Sequence, residues 1–259
     1  MKPMIGFRLG LAALLGALLF YSVGNAKDNN DWGSVKGRVV LDAPAAPAPV
    51  QLNVDKDQQH CLAKGPLFNE ELVVNPKNRG VRWTFVWLAA EAGAPPIKVH
   101  PNLQAIKNQN VEIDQPCCQF VPHALGMRAG QDLIAKNSSP IAHNVHWTGR
   151  PLKNAGGNQI VPAGQALAIN GLNPDRFPVK INCDIHGWMV AYVRVFDHPY
   201  FAVTDENGKF EIKQAPAGNY RLVTWQDNGW GPGGKEGVPV TIKGGEVTDK
   251  GDVKLKPPQ

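Results

Sequence analysis

Short runs of alternating or β-branched residues, each closed off by glycine, proline or asparagine, leave this chain little to build except strands. The runs lie at residues 35–41, 71–74, 81–88, 132–136, 179–182 and 189–196. Between them fall many of the 27 glycines and 22 prolines. Alternation at a period of two puts one face of each run toward a core, and the turn residues between runs fold the chain back on itself. Stretches 102–107 and 112–114 have some helical character but are too short to make amphipathic helices. The expected fold class is therefore all-β, with strands spaced as in β-sandwiches.

At 259 residues the chain exceeds one ordinary sandwich and suggests about two units. Residues 1–26 read as a signal peptide, with basic Lys2 and Arg8, an apolar run at 9–21 and small Gly24 and Ala26 before the cut. The apolar run falls short of the ~20 residues that span a bilayer, so the chain is expected to be secreted, periplasmic or extracellular, and not integral to a membrane after cleavage. Losing Lys2 and Arg8 takes the net charge from +5 to +3. The remaining Lys and Arg form no run or stripe, which argues against a nucleic-acid partner. Residues 27–33 read as an unstructured polar tail.

The chemistry concentrates in Asn182-Cys183-Asp184-Ile185-His186-Gly187-Trp188-Met189, which puts a thiolate, an imidazole and a thioether within seven residues. A hard cation such as calcium wants oxygens, and structural zinc rarely recruits Met. Two His, one Cys and a weak axial Met suit copper in both Cu(I) and Cu(II). The second imidazole must come from elsewhere. Asn137-Ser138-Ser139-Pro140-Ile141-Ala142-His143-Asn144-Val145 reads as a turn that presents His143 at the start of a strand.

Together the two motifs resemble the cupredoxins, the blue-copper family: a His-Asn-Val segment after an Asn-rich turn, then a Cys-x-x-His loop closed by Met. Two residues separate His186 from Met189, the short ligand loop of the amicyanin type. The resemblance covers residues 111–197 and implies a Greek-key β-sandwich with one type 1 copper held by His143, Cys183, His186 and Met189. It further implies that Asn144 donates its backbone N–H to the Cys183 sulfur, that His186 turns its far ring edge to solvent, and that Gly187 and Trp188 frame an electron-transfer surface. Ile185 and Gly187 stand where amicyanin-like loops often carry Pro. The implied function is single-electron transfer to a redox partner protein that the sequence does not name. The alternatives are non-redox copper binding for storage, delivery or sensing, and an interaction module with a vestigial site.

With Cys183 in the loop, three of the four cysteines remain. Cys117 and Cys118 are adjacent, and neighbours on a strand point to opposite faces, so at most one is well placed to meet Cys61. The expected disulfide joins Cys61 and Cys118 in an oxidising compartment. His146, three residues from His143, should face the other side of its strand. His123 reads as a capped or partly buried imidazole, and His60, His100 and His198 have no companions. Enzymatic readings are not supported: no phosphate loop, paired-carboxylate site or His-Glu-x-x-His motif is present, and a Cys-His dyad on this loop would lack an orienting partner.

Residues 198–256 carry clean hairpin punctuation at Asp205-Glu206-Asn207-Gly208 and Pro216-Ala217-Gly218. With Gly33-Ser34-Val35-Lys36-Gly37-Arg38-Val39-Val40 far upstream, they resemble carboxypeptidase regulatory-like β-sandwich modules. The N-terminal region 27–110 is then either a β region of its own or one half of a split sandwich completed by 198–256, with the copper unit inserted between the halves.

Overall fold

The computed structural model describes Met1, residues 31–106 and residues 108–258; the signal peptide expected at 1–26 lies outside the described residues, Met1 apart. The fold is all-β, and the described residues form four sheets. Two of them are built from both ends of the sequence. Strand Trp32–Leu41 lies between Lys209–Pro216, antiparallel to it, and Val247–Leu255, parallel to it. Phe85–Ala89 lies between Phe201–Val203 and Gly218–Gln226, and Val238–Ile242 also pairs with the latter. Alternation explains the inward faces: along Lys209–Pro216, Phe210 and Ile212 are buried while Lys209 and Glu211 are exposed. Val35, Val39, Val86, Leu88, Ile212 and Leu222 fill the space between these sheets.

The other two sheets come from the middle of the chain. One has the order Ala124–Arg128, Val190–Phe196, Val179–Asn182, His143–Thr148, Gly157–Val161; the other runs Asn110–Ile113, Asp132–Lys136, Ala166–Ile169. Ile113, Phe120, Met127, Leu133, Val145, Ile181 and Val193 form their common core. Val54, Cys61 and Leu67, from the region N-terminal to residue 111, also belong to this core. A third cluster, with Phe85, Trp87, Phe196 and Trp225, joins the two halves of the molecule.

Several expected elements differ. Trp32 and Gly33, read as tail, already lie in a strand. Residues 71–74 form no strand, only an isolated bridge between Val74 and Val81. The run at 81–88 begins its strand at Phe85, because Trp83 sits at φ 64°, where no strand can continue. The turn at Asp205–Gly208 forms as read: the Asp205 carboxylate accepts the N–H groups of Asn207 and Lys209, and Gly208 takes φ 72°. Among the described residues no helix is long and apolar enough to cross a membrane.

Candidate metal centre

Two local structures bring the donors together. The first is the turn before His143. The Asn137 side-chain amide donates to the carbonyls of Ile141 and Val161, both at 2.8 Å, while its Oδ1 accepts from the Ser139 hydroxyl. Ser138 is tied by its hydroxyl to Asp114 at 2.7 Å. A buried amide that spends its donors on backbone carbonyls fixes the turn, and strand His143–Thr148 then starts with His143 pointing inward.

The second is the hairpin Val179–Asn182 to Val190–Phe196, with Asn182 paired to Val190. Everything from Cys183 to Met189 is therefore hairpin loop. It is closed by Cys183 N–H to the Met189 carbonyl at 3.2 Å and by Met189 N–H to the His186 carbonyl at 2.9 Å. His146 pairs with Asn182, which sets the His143 strand directly beside the strand leading into Cys183.

The result is a buried donor cluster. His143 Nδ1 and His186 Nδ1 face each other at 2.9 Å, and Cys183 Sγ lies 3.9 Å from His186 Nδ1. One ligand atom from each residue falls within 4.8 Å of the others, and all three residues are buried. Met189 closes the same loop and is buried in the same core. Burial, followed by the facing His186 ring, pushes the His143 imidazole down to about 4, so near neutral pH it is an uncharged ligand. His143 Nε2 is buried without a hydrogen-bond partner. Two imidazole nitrogens turned toward one another beside a thiol fit a soft or borderline transition metal.

Asn144 contacts the loop through its side chain. Its Oδ1 accepts from Asp184 N–H at 2.7 Å and Ile185 N–H at 3.1 Å, and the Cys183 thiol lies 3.2 Å away. Its amide nitrogen donates to Asn158 and Asp184. Beyond the link expected through its backbone N–H, its side chain clamps the first turn of the loop. Outside this clamp, half-buried His146 bonds Asp184 at 3.0 Å, on the strand face opposite to His143.

His186 corrects an expectation. Its ring is fully buried rather than edged to solvent, because Nε2 meets Asp57 Oδ2 at 2.8 Å. Asp57 leads into the single helical turn Gln58–Cys61, and Cys61 is disulfide-bonded to Cys118. Trp188 packs on this assembly: its indole N–H donates to the Cys118 carbonyl at 3.0 Å, and its ring lies 5.2 Å from that of His186. Gly187 alone of the two framing residues is exposed, with open space around it. Cys117 is a free thiol. His123 is buried against Asp227 at 2.8 Å; burial alone would lower the imidazole, but that hydrogen bond and charge outweigh it and hold His123 above its ordinary value.

Sequence reasoning missed Asp57 and its neighbour His60, whose Nε2 is buried without a partner, and Asp57 supplies the orienting group that a Cys183–His186 dyad was expected to lack. Neither carries a motif. The only signal that placed their segment near the loop was the expected pairing of Cys61 with Cys118.

Fold and cluster together define an all-β protein with a buried His/Cys/His donor set on a β-hairpin loop. Residues 192–250 match a family model described as polysaccharide lyase family 4, domain II. A search of curated proteins returned no match. Among solved structures, the chain is similar to a purple cupredoxin from Nitrosopumilus maritimus at 18% identity and a TM-score of 0.28, covering 33% of this chain and 98% of that one. It is also similar to the Cu(I) form of a methionine-to-alanine mutant of amicyanin, at 16% identity and a TM-score of 0.31, over 42% of this chain and 92% of that one. With TM-scores this low, the chemistry of the centre rests on its own geometry.

Proposed function

We propose that this chain is an exported, mononuclear type 1 copper protein that carries single electrons, and that it is a carrier rather than an enzyme. The observation that supports this is the convergence of His143 Nδ1, His186 Nδ1 and Cys183 Sγ in a buried cluster, on a loop that ends at buried Met189. These residues would hold the copper, which supplies a one-electron couple. What the chain contributes is rigidity. The Asn137 turn, the Asn144 clamp and the two backbone bonds across the loop hold the donors in place. A set of thiolate, imidazoles and weak thioether serves both oxidation states, so little has to move when the electron does. Export fits the leader at 1–26 and the disulfide, and the copper unit is read as an insertion into a sandwich built from both chain ends.

Copper reconstitution followed by metal analysis, absorption and voltammetry tests the reading. One copper per chain, intense thiolate-to-copper absorption and a reversible couple are expected; a chain that stays copper-free overturns it. The closure of His186 beneath Asp57 favours a second reading, copper storage or delivery, since an electron carrier gains from an open ligand edge. Bound copper with no reversible couple would select that second reading.

A further inference from the structure

We propose that Asp57 is the positioning residue of His186: it fixes the ring so that Nδ1 offers a lone pair to the metal, and its negative charge favours the higher oxidation state. The inference rests on the copper reading above. The geometry begins with the 2.8 Å contact between Asp57 Oδ2 and His186 Nε2. A carboxylate can only accept a hydrogen bond, so Nε2 must carry the proton, and a neutral ring then has its lone pair at Nδ1. That nitrogen is the one facing His143 Nδ1 at 2.9 Å. In the copper-free chain His143 Nδ1 then donates to it, and a metal held at His143 Nδ1 requires that proton to move to His143 Nε2, which is buried without a partner, or to solvent.

The carboxylate is itself held. Asp57 adopts φ 47° and ψ 34°, a left-handed conformation that Asp tolerates better than most residues. Its carbonyl accepts the N–H groups of His60 and Cys61, both at 2.9 Å. Cys61 is bonded covalently to Cys118, and Cys118 takes the Trp188 indole N–H. Both half-cystine sulfurs lie within 4.8 Å of a His186 ring nitrogen. The segment carrying Asp57 is therefore anchored to the loop it orients, from a position 129 residues away in sequence. Side-chain exposure of 49% at Asp57 against 0% at His186 makes the carboxylate the outer end of the chain of contacts that leads to the donors.

A carboxylate behind a metal-bound imidazole raises the basicity of the ligand and orients it, and removal of such partners costs 10–100-fold in metal affinity. The test uses the full mature chain loaded with copper, wild type beside Asp57→Asn and Asp57→Ala. Asn keeps the shape and can still accept from Nε2, but loses the charge. Cu(II) affinity should fall at least about tenfold with Cu(I) affinity nearly constant, and each tenfold difference appears as a rise of about 59 mV in reduction potential. In Asp57→Ala the ring should also lose its fixed tautomer, read by ring-nitrogen NMR of the copper-free chain as mixed Nδ1–H and Nε2–H signals where wild type shows Nε2–H. If Asp57→Asn leaves the potential and both affinities within twofold of a copper-binding wild type, the assignment of Asp57 is overturned and the copper reading stands. A wild type that binds no copper overturns both.

Discussion

Removing the Cys61–Cys118 disulfide should be among the most destabilising changes that the half carrying the donor cluster can suffer. The bridge closes a loop across a sequence separation of 57. On the chain-entropy model, a loop of that size restricts the unfolded ensemble by roughly 14 cal/mol/K, or about 4 kcal/mol at 25 °C. Domains are commonly stable by only about 5–15 kcal/mol. Both half-cystines are buried in the core, so replacing them by Ala removes packed sulfur as well. Urea denaturation of the Cys61→Ala, Cys118→Ala double variant, followed by Trp fluorescence, should show a loss of about 3–5 kcal/mol. The m-value should rise as the unfolded chain expands. A loss below about 1 kcal/mol would refute the argument, because the closed loop could not then be restricting the unfolded state as its length requires.

Replacing Cys183 by Ala should abolish intense visible absorption and most copper affinity, since the soft anionic donor is lost; retained absorption would remove Cys183 from the ligand set. Met189→Leu should keep copper bound while raising the reduction potential, checked by voltammetry, because a weak donor to Cu(II) disappears. Asn144→Ala strips the loop of acceptors for the Asp184 and Ile185 N–H groups and should cost about 1–3 kcal/mol in denaturation. The copper-free chain should lose stability as pH falls from 6.5 toward about 4: His143 is held below its ordinary value in the folded state, so the unfolded chain takes up the proton first. The loss is on the order of 1–3 kcal/mol, is complete below the folded value, and should shrink in His143→Asn. His123, held above its ordinary value, acts in the opposite window, losing its contribution as pH rises above 6.5.

What the sequence reveals, and what it conceals, divides by range. The loop from Cys183 to Met189 is legible because its donors fall within seven consecutive positions, and a hairpin of buried strands does the rest. His143 is legible because the Asn and Ser residues before it act locally, on carbonyls a few positions away. Strands Gly157–Val161 and Ala166–Ile169 escape a reading of the pattern, since the first is largely polar and exposed and the second holds one buried residue in four. Their membership in a sheet is decided by the neighbours they pair with rather than by their own pattern.

Asp57 is the extreme case. An Asp in a polar segment carries no signature, and only the fold places it 2.8 Å from a ring 129 residues away. That placement changes the chemistry expected of the centre. Read from the loop alone, His186 has nothing behind it but solvent, and the short loop frames an open edge for a partner. With Asp57, Cys61 and Cys118 laid across it, the same ring sits between an anionic acceptor and the donor cluster, while Trp188 is engaged by the Cys118 carbonyl. Any electron leaving by way of His186 must then cross the Asp57 segment or pass beside Trp188 and exposed Gly187. The covering segment comes from outside the region that carries the donor cluster, so in the proposed copper protein the N-terminal part of the chain would tune the centre as well as scaffold it.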